Sequence, residues 1–206
     1  MASRTKSWSR VHALAALVPW LPWLAWHLWQ FGAAHAGRDV FVARFTLLPD
    51  GVGAGLDLLL LVGIGVHVLL GVKLAVDDPA PRHAGSHESP GSRSWQRLTG
   101  LLAFAFVLFH VLSLGSRVDA LSVFARLDDT LGQPRYVLIW VIGLTAVFAH
   151  LAEGVPAALR TLGLVGGEFQ LRRVRVLANV VAAVCWLVSM NSLAYFATGA
   201  AYVGGP

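Results

Sequence analysis

Hydrophobic positions in this chain are gathered into long runs, and the charged positions fall mostly in the gaps between them. Five apolar stretches stand out: Val11 to Ala34, Gly55 to Val76, Leu98 to Leu114, Tyr136 to Leu159 and Val176 to Ala197. A helix that crosses the hydrocarbon core of a bilayer needs about 20 mostly apolar residues, so each stretch predicts one transmembrane helix. Strands of a membrane barrel would alternate apolar and polar over segments of about 10 residues, and no such segments occur. The expected fold is therefore all-α: one domain over residues 1–206, an integral membrane bundle of five transmembrane helices. The segment MASRTKSWSR before the first run, with Ala34-His35-Ala36 after it, has the outline of a signal peptide. The run is longer than the ~7–15 residues of a signal core and is crowded with tryptophan, so it is read as the first span.

Composition agrees with this solvent. The 206 residues are 56% hydrophobic and 13% charged, with a mean hydropathy of +0.65, which excludes an ordinary soluble domain of this length. The net charge of +5 does not indicate nucleic-acid binding, because the basic residues lie in loops between spans and not along one face. It does predict an orientation. Arg4, Lys6, Arg10, Lys73, Arg82, Arg93, Arg97, Arg160, Arg172, Arg173 and Arg175 flank one set of helix ends, and Arg38, Arg44, Arg117, Arg126 and Arg135 the other. Eleven against five puts the N-terminus in the cytoplasm and the C-terminus outside. The stretch from Asp77 to Ser94, rich in Pro, Gly and Ser, reads as a mobile loop whose His83 and His87 are solvated. Cys185 is the single cysteine and lies in the fifth span, which excludes an intramolecular disulfide or a thiolate cluster.

Ionisable residues inside a bilayer are costly and point to function. Spans one to four each hold one deep histidine: His27, His67, His110 and His150. Any one of them alone would be read as a hydrogen bond between helices; one in each of four successive spans is a pattern. At 1.5 Å per residue, His27 is ~26 Å from Arg10 and ~16 Å from Arg38, and His110 is ~20 Å from Arg97 and ~10 Å from Arg117. Both lie nearer the outside. His67, ~9 Å from Lys73, and His150, ~15 Å from Arg160 and ~22 Å from Arg135, lie nearer the inside. Two histidines on different helices at matched depth suit a haem, whose iron takes one imidazole on each face while its edge packs on apolar side chains. The ordering predicts two haems stacked across the membrane. Zinc would want three or four converging ligands. A proton relay would want a file of Asp, Glu and His, to which only Asp57 and Glu153 could contribute.

Smaller features surround these histidines. His67 and Gly71, and likewise His150 and Gly154, repeat an H-x-x-x-G spacing that leaves a bare patch one turn from each imidazole. Either a porphyrin edge or a neighbouring helix fits such a patch. In span one, tryptophans recur at Trp20, Trp23, Trp26 and Trp29. Residues three apart drift by ~60° per step, so the four cannot form one stripe. Trp23 and Trp20, at i−4 and i−7 from His27, share its face and are expected to wall a haem edge. Trp26 is expected to face lipid, and Trp29 to mark the outer interface.

Taken in order, these residues are familiar. Ser9-Arg10-Val11-His12 opens span one and His27 follows it. H-x-x-x-G stands at His67, and Gln96-Arg97-Leu98-Thr99-Gly100 opens span three with Phe109-His110 near its end. His150 and Gly154 lie in span four. Over nearly its whole length the chain resembles the five-helix, di-haem cytochrome b membrane subunit of succinate dehydrogenase and fumarate reductase. The resemblance implies two haem b groups, with His27 and His110 holding the distal one and His67 and His150 the proximal one. It implies a cytoplasmic (inner) membrane location. It also implies two partners on the cytoplasmic face, an FAD-bearing flavoprotein subunit that carries the succinate chemistry and an iron-sulfur subunit. Electrons would run from the iron-sulfur clusters through the haems to a quinone, menaquinone in this class. Arg10, His12, Gln96, Arg97 and Thr99 gather at the cytoplasmic ends of spans one and three. Arg10 and Arg97 are candidates to pair with haem propionates or to anchor the interface, and His12 is a candidate for docking or a propionate. Asp57 and Glu153 are the candidate carboxylates of a quinone site; each also has a plainer reading, Asp57 as a span terminus and Glu153 as a buried neutral acid. Two other functions compete. A hydrogenase or formate dehydrogenase cytochrome b typically has four helices with differently placed ligands, and a haem-free transporter would show an internal repeat, which the chain lacks.

Overall fold

The computed structural model describes residues 2–48, 50–77, 90–114 and 119–203. Its described elements are all helical. Five of them are long and apolar enough to cross a membrane: α1 (Ala2–Phe31), α3 (Asp50–Asp77), α4 (Pro90–Leu114), α6 (Pro134–Thr161) and α7 (Glu168–Thr198). The expected multi-pass helical bundle is the observed one. Two short helices, α2 (Arg38–Phe45) and α5 (Ala120–Leu131), lie between the spans and were not anticipated. The last residues of the expected Asp77–Ser94 loop, from Pro90 on, belong to α4, whose first turn tolerates proline because its N–H would be unpaired there anyway. His83 and His87 lie outside the described residues.

Contacts between helices show that the spans alternate in direction. His12, early in α1, meets His67, late in α3, and Gln96, early in α4, meets His150, late in α6. Ser192, late in α7, donates a hydrogen bond to the Phe31 carbonyl at the end of α1. Thus α1, α4 and α7 run one way, and α3 and α6 the other. The pairs α1/α3, α4/α6 and α6/α7 pack most closely, and α1 also lies against α6. Glycines set two of these approaches. A Cβ on Gly63 would come 2.5 Å from Cγ of Pro19, and one on Gly143 would come 2.0 Å from Cδ2 of Phe106. Pro19 and Pro22 lie inside α1, where each removes one backbone hydrogen bond; the bare surface of Gly63 receives the Pro19 ring.

Outward-facing positions such as Leu69, Leu101, Val72 and Leu177 are largely exposed, as expected of a surface solvated by lipid tails. The densest core lies toward the end of the bundle away from the N-terminus. There Phe41 of α2, Leu127 and Leu131 of α5, and Phe196 of α7 are buried and form one cluster with Phe106 and Trp140. Helix α5 buries Ala120, Val123, Leu127 and Leu131, the spacing of one helical face. Its first turn is capped by Asp119, whose carboxylate accepts from the Ser122 amide at 2.8 Å and the Ser122 hydroxyl at 2.7 Å.

Candidate functional site: two histidine pairs at opposite ends of the bundle

Because the spans alternate, residues early in one helix share a level with residues late in the next. One level, nearer the N-terminus, holds His12, His67, Gln96 and His150. The other holds His27, Asp57, His110 and Trp140. Four histidines from four spans fall into two pairs. His67 and His150 have ring centroids 6.2 Å apart, inclined at 72°, and His27 and His110 lie 5.9 Å apart at 90°.

At the first level both imidazoles are held by backbone. His67 Nδ1 lies 3.1 Å from the His12 carbonyl oxygen, and His150 Nδ1 lies 3.1 Å from that of Gln96. A carbonyl oxygen only accepts, so each Nδ1 carries the proton and donates it. Each Nε2 is then left with its lone pair, the tautomer that metal-binding histidines adopt when a carbonyl orients them. The remainder of the level is tightly fitted. The His12 ring stacks on His67 at 3.9 Å and takes the space beside Gly71, where a Cβ would stand 3.2 Å from His12 Nε2. The bare patch at Gly71 is therefore filled by a side chain of α1. Gly154 faces Gln96 more loosely, with a Cβ 3.9 Å from its Nε2. The sharper fit is at Gly100, whose Cβ would come 2.9 Å from Cε1 of His150. Thr99 is buried and returns its hydroxyl proton to the Trp95 carbonyl of its own helix. Arg10 and Arg97 are exposed at the ends of their spans. Glu153 is half-buried one turn from His150.

The second level opens onto a cavity of about 310 Å³, within the size range of cofactor and small-molecule sites. His27, His110, Trp20, Trp23, Asp57 and Trp140 are among its lining residues, and most of the others are leucine, valine and phenylalanine. Val123, Leu127 and Leu131 of α5 and Phe45 of α2 close it on the loop side. Trp23 stacks on His27 at 4.3 Å and 17°, and its indole N–H donates to Asp57 at 3.0 Å. Asp57 is thus part of the cavity wall, tied to a neighbour of the histidine. Trp26 and Trp29 point elsewhere and lie against each other. Trp29 is exposed, with the Arg44 guanidinium 4.7 Å over its ring. Across the cavity, Trp140 meets His110 edge to face at 4.9 Å. Its Nε1 is buried and has no hydrogen-bond partner among the described residues, a condition that costs about 1–3 kcal/mol when left uncompensated.

A haem bound through two imidazoles needs paired rings and no third ligand. If the chain takes up such a group, His27 and His110 would hold it at one level and His67 and His150 at the other; the first pair lines the cavity, and at the second His12 is stacked on His67. Among the described residues, no three His, Cys, Asp or Glu side chains converge as a bare metal ion would require. Trp140 and the seat for His150 at Gly100 were not singled out as site residues from sequence. Trp140 gives no sign there beyond being an aromatic in a span, because its tie to His110 depends on α4 and α6 running antiparallel.

No family model, curated protein or solved structure matches the chain.

Proposed function

We propose that this protein is the membrane anchor and di-haem b electron-transfer subunit of a succinate:quinone oxidoreductase, a succinate dehydrogenase or fumarate reductase. In this reading His27 and His110 hold one haem b and His67 and His150 the other. The observation that carries it is the division of four span histidines into two cross-helix pairs with centroid spacings of 5.9 and 6.2 Å. Bound haem supplies a one-electron carrier at each level. What the chain contributes is positioning. The His12 and Gln96 carbonyls fix the His67 and His150 tautomers, Trp23 buttresses His27, and leucine, valine and phenylalanine keep water from the second level.

The excess of Lys and Arg supports a cytoplasmic N-terminus in the inner membrane, which puts the His67/His150 level on the cytoplasmic side. An iron-sulfur subunit would dock on that face, with the succinate chemistry on a flavoprotein beyond it. A quinone, menaquinone in this class, would react toward the other side, where Asp57 is the acid on a cavity wall and the better of the two candidate carboxylates. An absorption spectrum of the purified subunit tests the reading. Two low-spin b-type haems per chain are expected, with one lost on changing His67 or His150 to Ala; a protein purified without haem would overturn it.

A further inference from the structure

We infer that the Trp140 indole N–H is a hydrogen-bond donor to an acceptor oxygen, a carbonyl or a carboxylate, on a ligand of the cavity that His27 and His110 line. The inference deepens the reading above and rests on it for the nature of the ligand. Its basis is Trp140 itself. The residue is 8% exposed, lines the cavity and has a buried Nε1 with no partner among the described residues. An indole nitrogen donates and never accepts, so whatever satisfies it must bring an acceptor.

Three other polar side chains on this wall have their protons engaged within the protein. The Trp23 N–H goes to Asp57, the Ser189 hydroxyl to the Cys185 carbonyl, and the Ser192 hydroxyl to the Phe31 and Val188 carbonyls. A lone water is a poor substitute, since a buried water needs two to four polar partners and most of the cavity lining is leucine, valine and phenylalanine. A larger, mostly apolar molecule carrying an oxygen at its edge meets both demands, filling the apolar space and accepting one hydrogen bond. A haem carboxylate and a quinone carbonyl both have this chemistry.

Trp140→Phe in the intact membrane complex separates the sources, because it keeps the ring and removes the donor. Ultraviolet resonance Raman difference spectra, wild type minus variant, read whether the Trp140 N–H is hydrogen-bonded; a bonded N–H is expected. A haem carboxylate as acceptor shifts the midpoint potential of one haem and leaves naphthoquinone affinity unchanged. A quinone carbonyl as acceptor raises the Kd for a soluble naphthoquinone about threefold to tenfold with both potentials unchanged. A free N–H in the wild type, with neither effect, overturns the inference. If the purified protein holds no haem, the proposed function fails, yet a Kd for a soluble naphthoquinone that rises in Trp140→Phe still supports the inference, and a protein that also binds no naphthoquinone overturns both. Should the Phe variant not fold, benzothienylalanine at position 140, which replaces only the N–H by sulfur, gives the same readings.

Discussion

His67 and His150 reach the same state by the same means: each gives its Nδ1 proton to a main-chain carbonyl of a neighbouring helix. The imidazole is aimed by backbone, which cannot be mutated away, so the sensitive positions are those that give the ring room. Gly100 is the tightest, with a Cβ that would reach 2.9 Å from the His150 ring. On the di-haem reading, Gly100→Ala should displace that ring and lower the haem content of the purified protein from two per chain toward one, while Gly154→Ala, where the nearest atom is 3.9 Å away, should leave it unchanged. Pyridine haemochrome stoichiometry separates the two variants. Asp57 offers a second residue-scale test. Asp57→Asn keeps an oxygen for the Trp23 N–H but removes the charge and the proton-transfer group. If Asp57 serves the quinone as acid or base, the rate of quinone reduction should fall about 100-fold or more, and an unchanged rate would remove Asp57 from the site.

At the scale of elements, the five spans were legible because a run of about 20 apolar residues has few other uses. The short helices α2 and α5 were not, because their signals are local and compete with a loop reading. Helix α5 shows an apolar face only once Val123, Leu127 and Leu131 are known to have a cavity to cover. Its N-cap is nevertheless in the sequence, as Asp119 followed three residues on by Ser122. Those hydrogen bonds hold the Asp119 carboxyl below the usual carboxylate range. A group with a depressed folded-state pKa stabilises above its unfolded value of about 3.9, and the contribution is lost as pH falls through the folded value. Acidification below about pH 4 should therefore fray the start of α5, seen as faster amide exchange there, and Asp119→Ala should show that faster exchange already at neutral pH. The α4/α6 contact makes a different prediction. A Cβ on Gly143 overlaps Phe106 at its Cδ2, Cγ and Cβ atoms alike, so rotating the ring does not relieve it and the helices must separate. Gly143→Ala should cost about 1–3 kcal/mol, read as a lower midpoint of thermal unfolding in detergent.

For the molecule as a whole, alternation of spans turns a linear order of histidines into two levels, which is why depth estimates from loop charges and the contacts between helices group the same residues. What sequence could not supply is lateral position. Trp140 and His110 stand 30 residues apart and meet only because α4 and α6 pack antiparallel, and His12 fills the space beside Gly71 only because α1 lies on α3. Orientation rests on another quantity, the division of charge, and can be tested without reference to haem. Arg38, at the start of α2, and Arg172, early in α7, are both exposed and belong to opposite ends of the bundle. In a Cys185→Ala background each can be replaced singly by cysteine, and neither change reverses the bias: the balance becomes eleven against four or ten against five. A membrane-impermeant maleimide added to intact cells should label Arg38→Cys at once and Arg172→Cys only after permeabilisation. The opposite pattern would put the N-terminus outside, turn the His67/His150 level away from the cytoplasm, and leave the iron-sulfur partner proposed above facing the cavity of His27 and His110 instead.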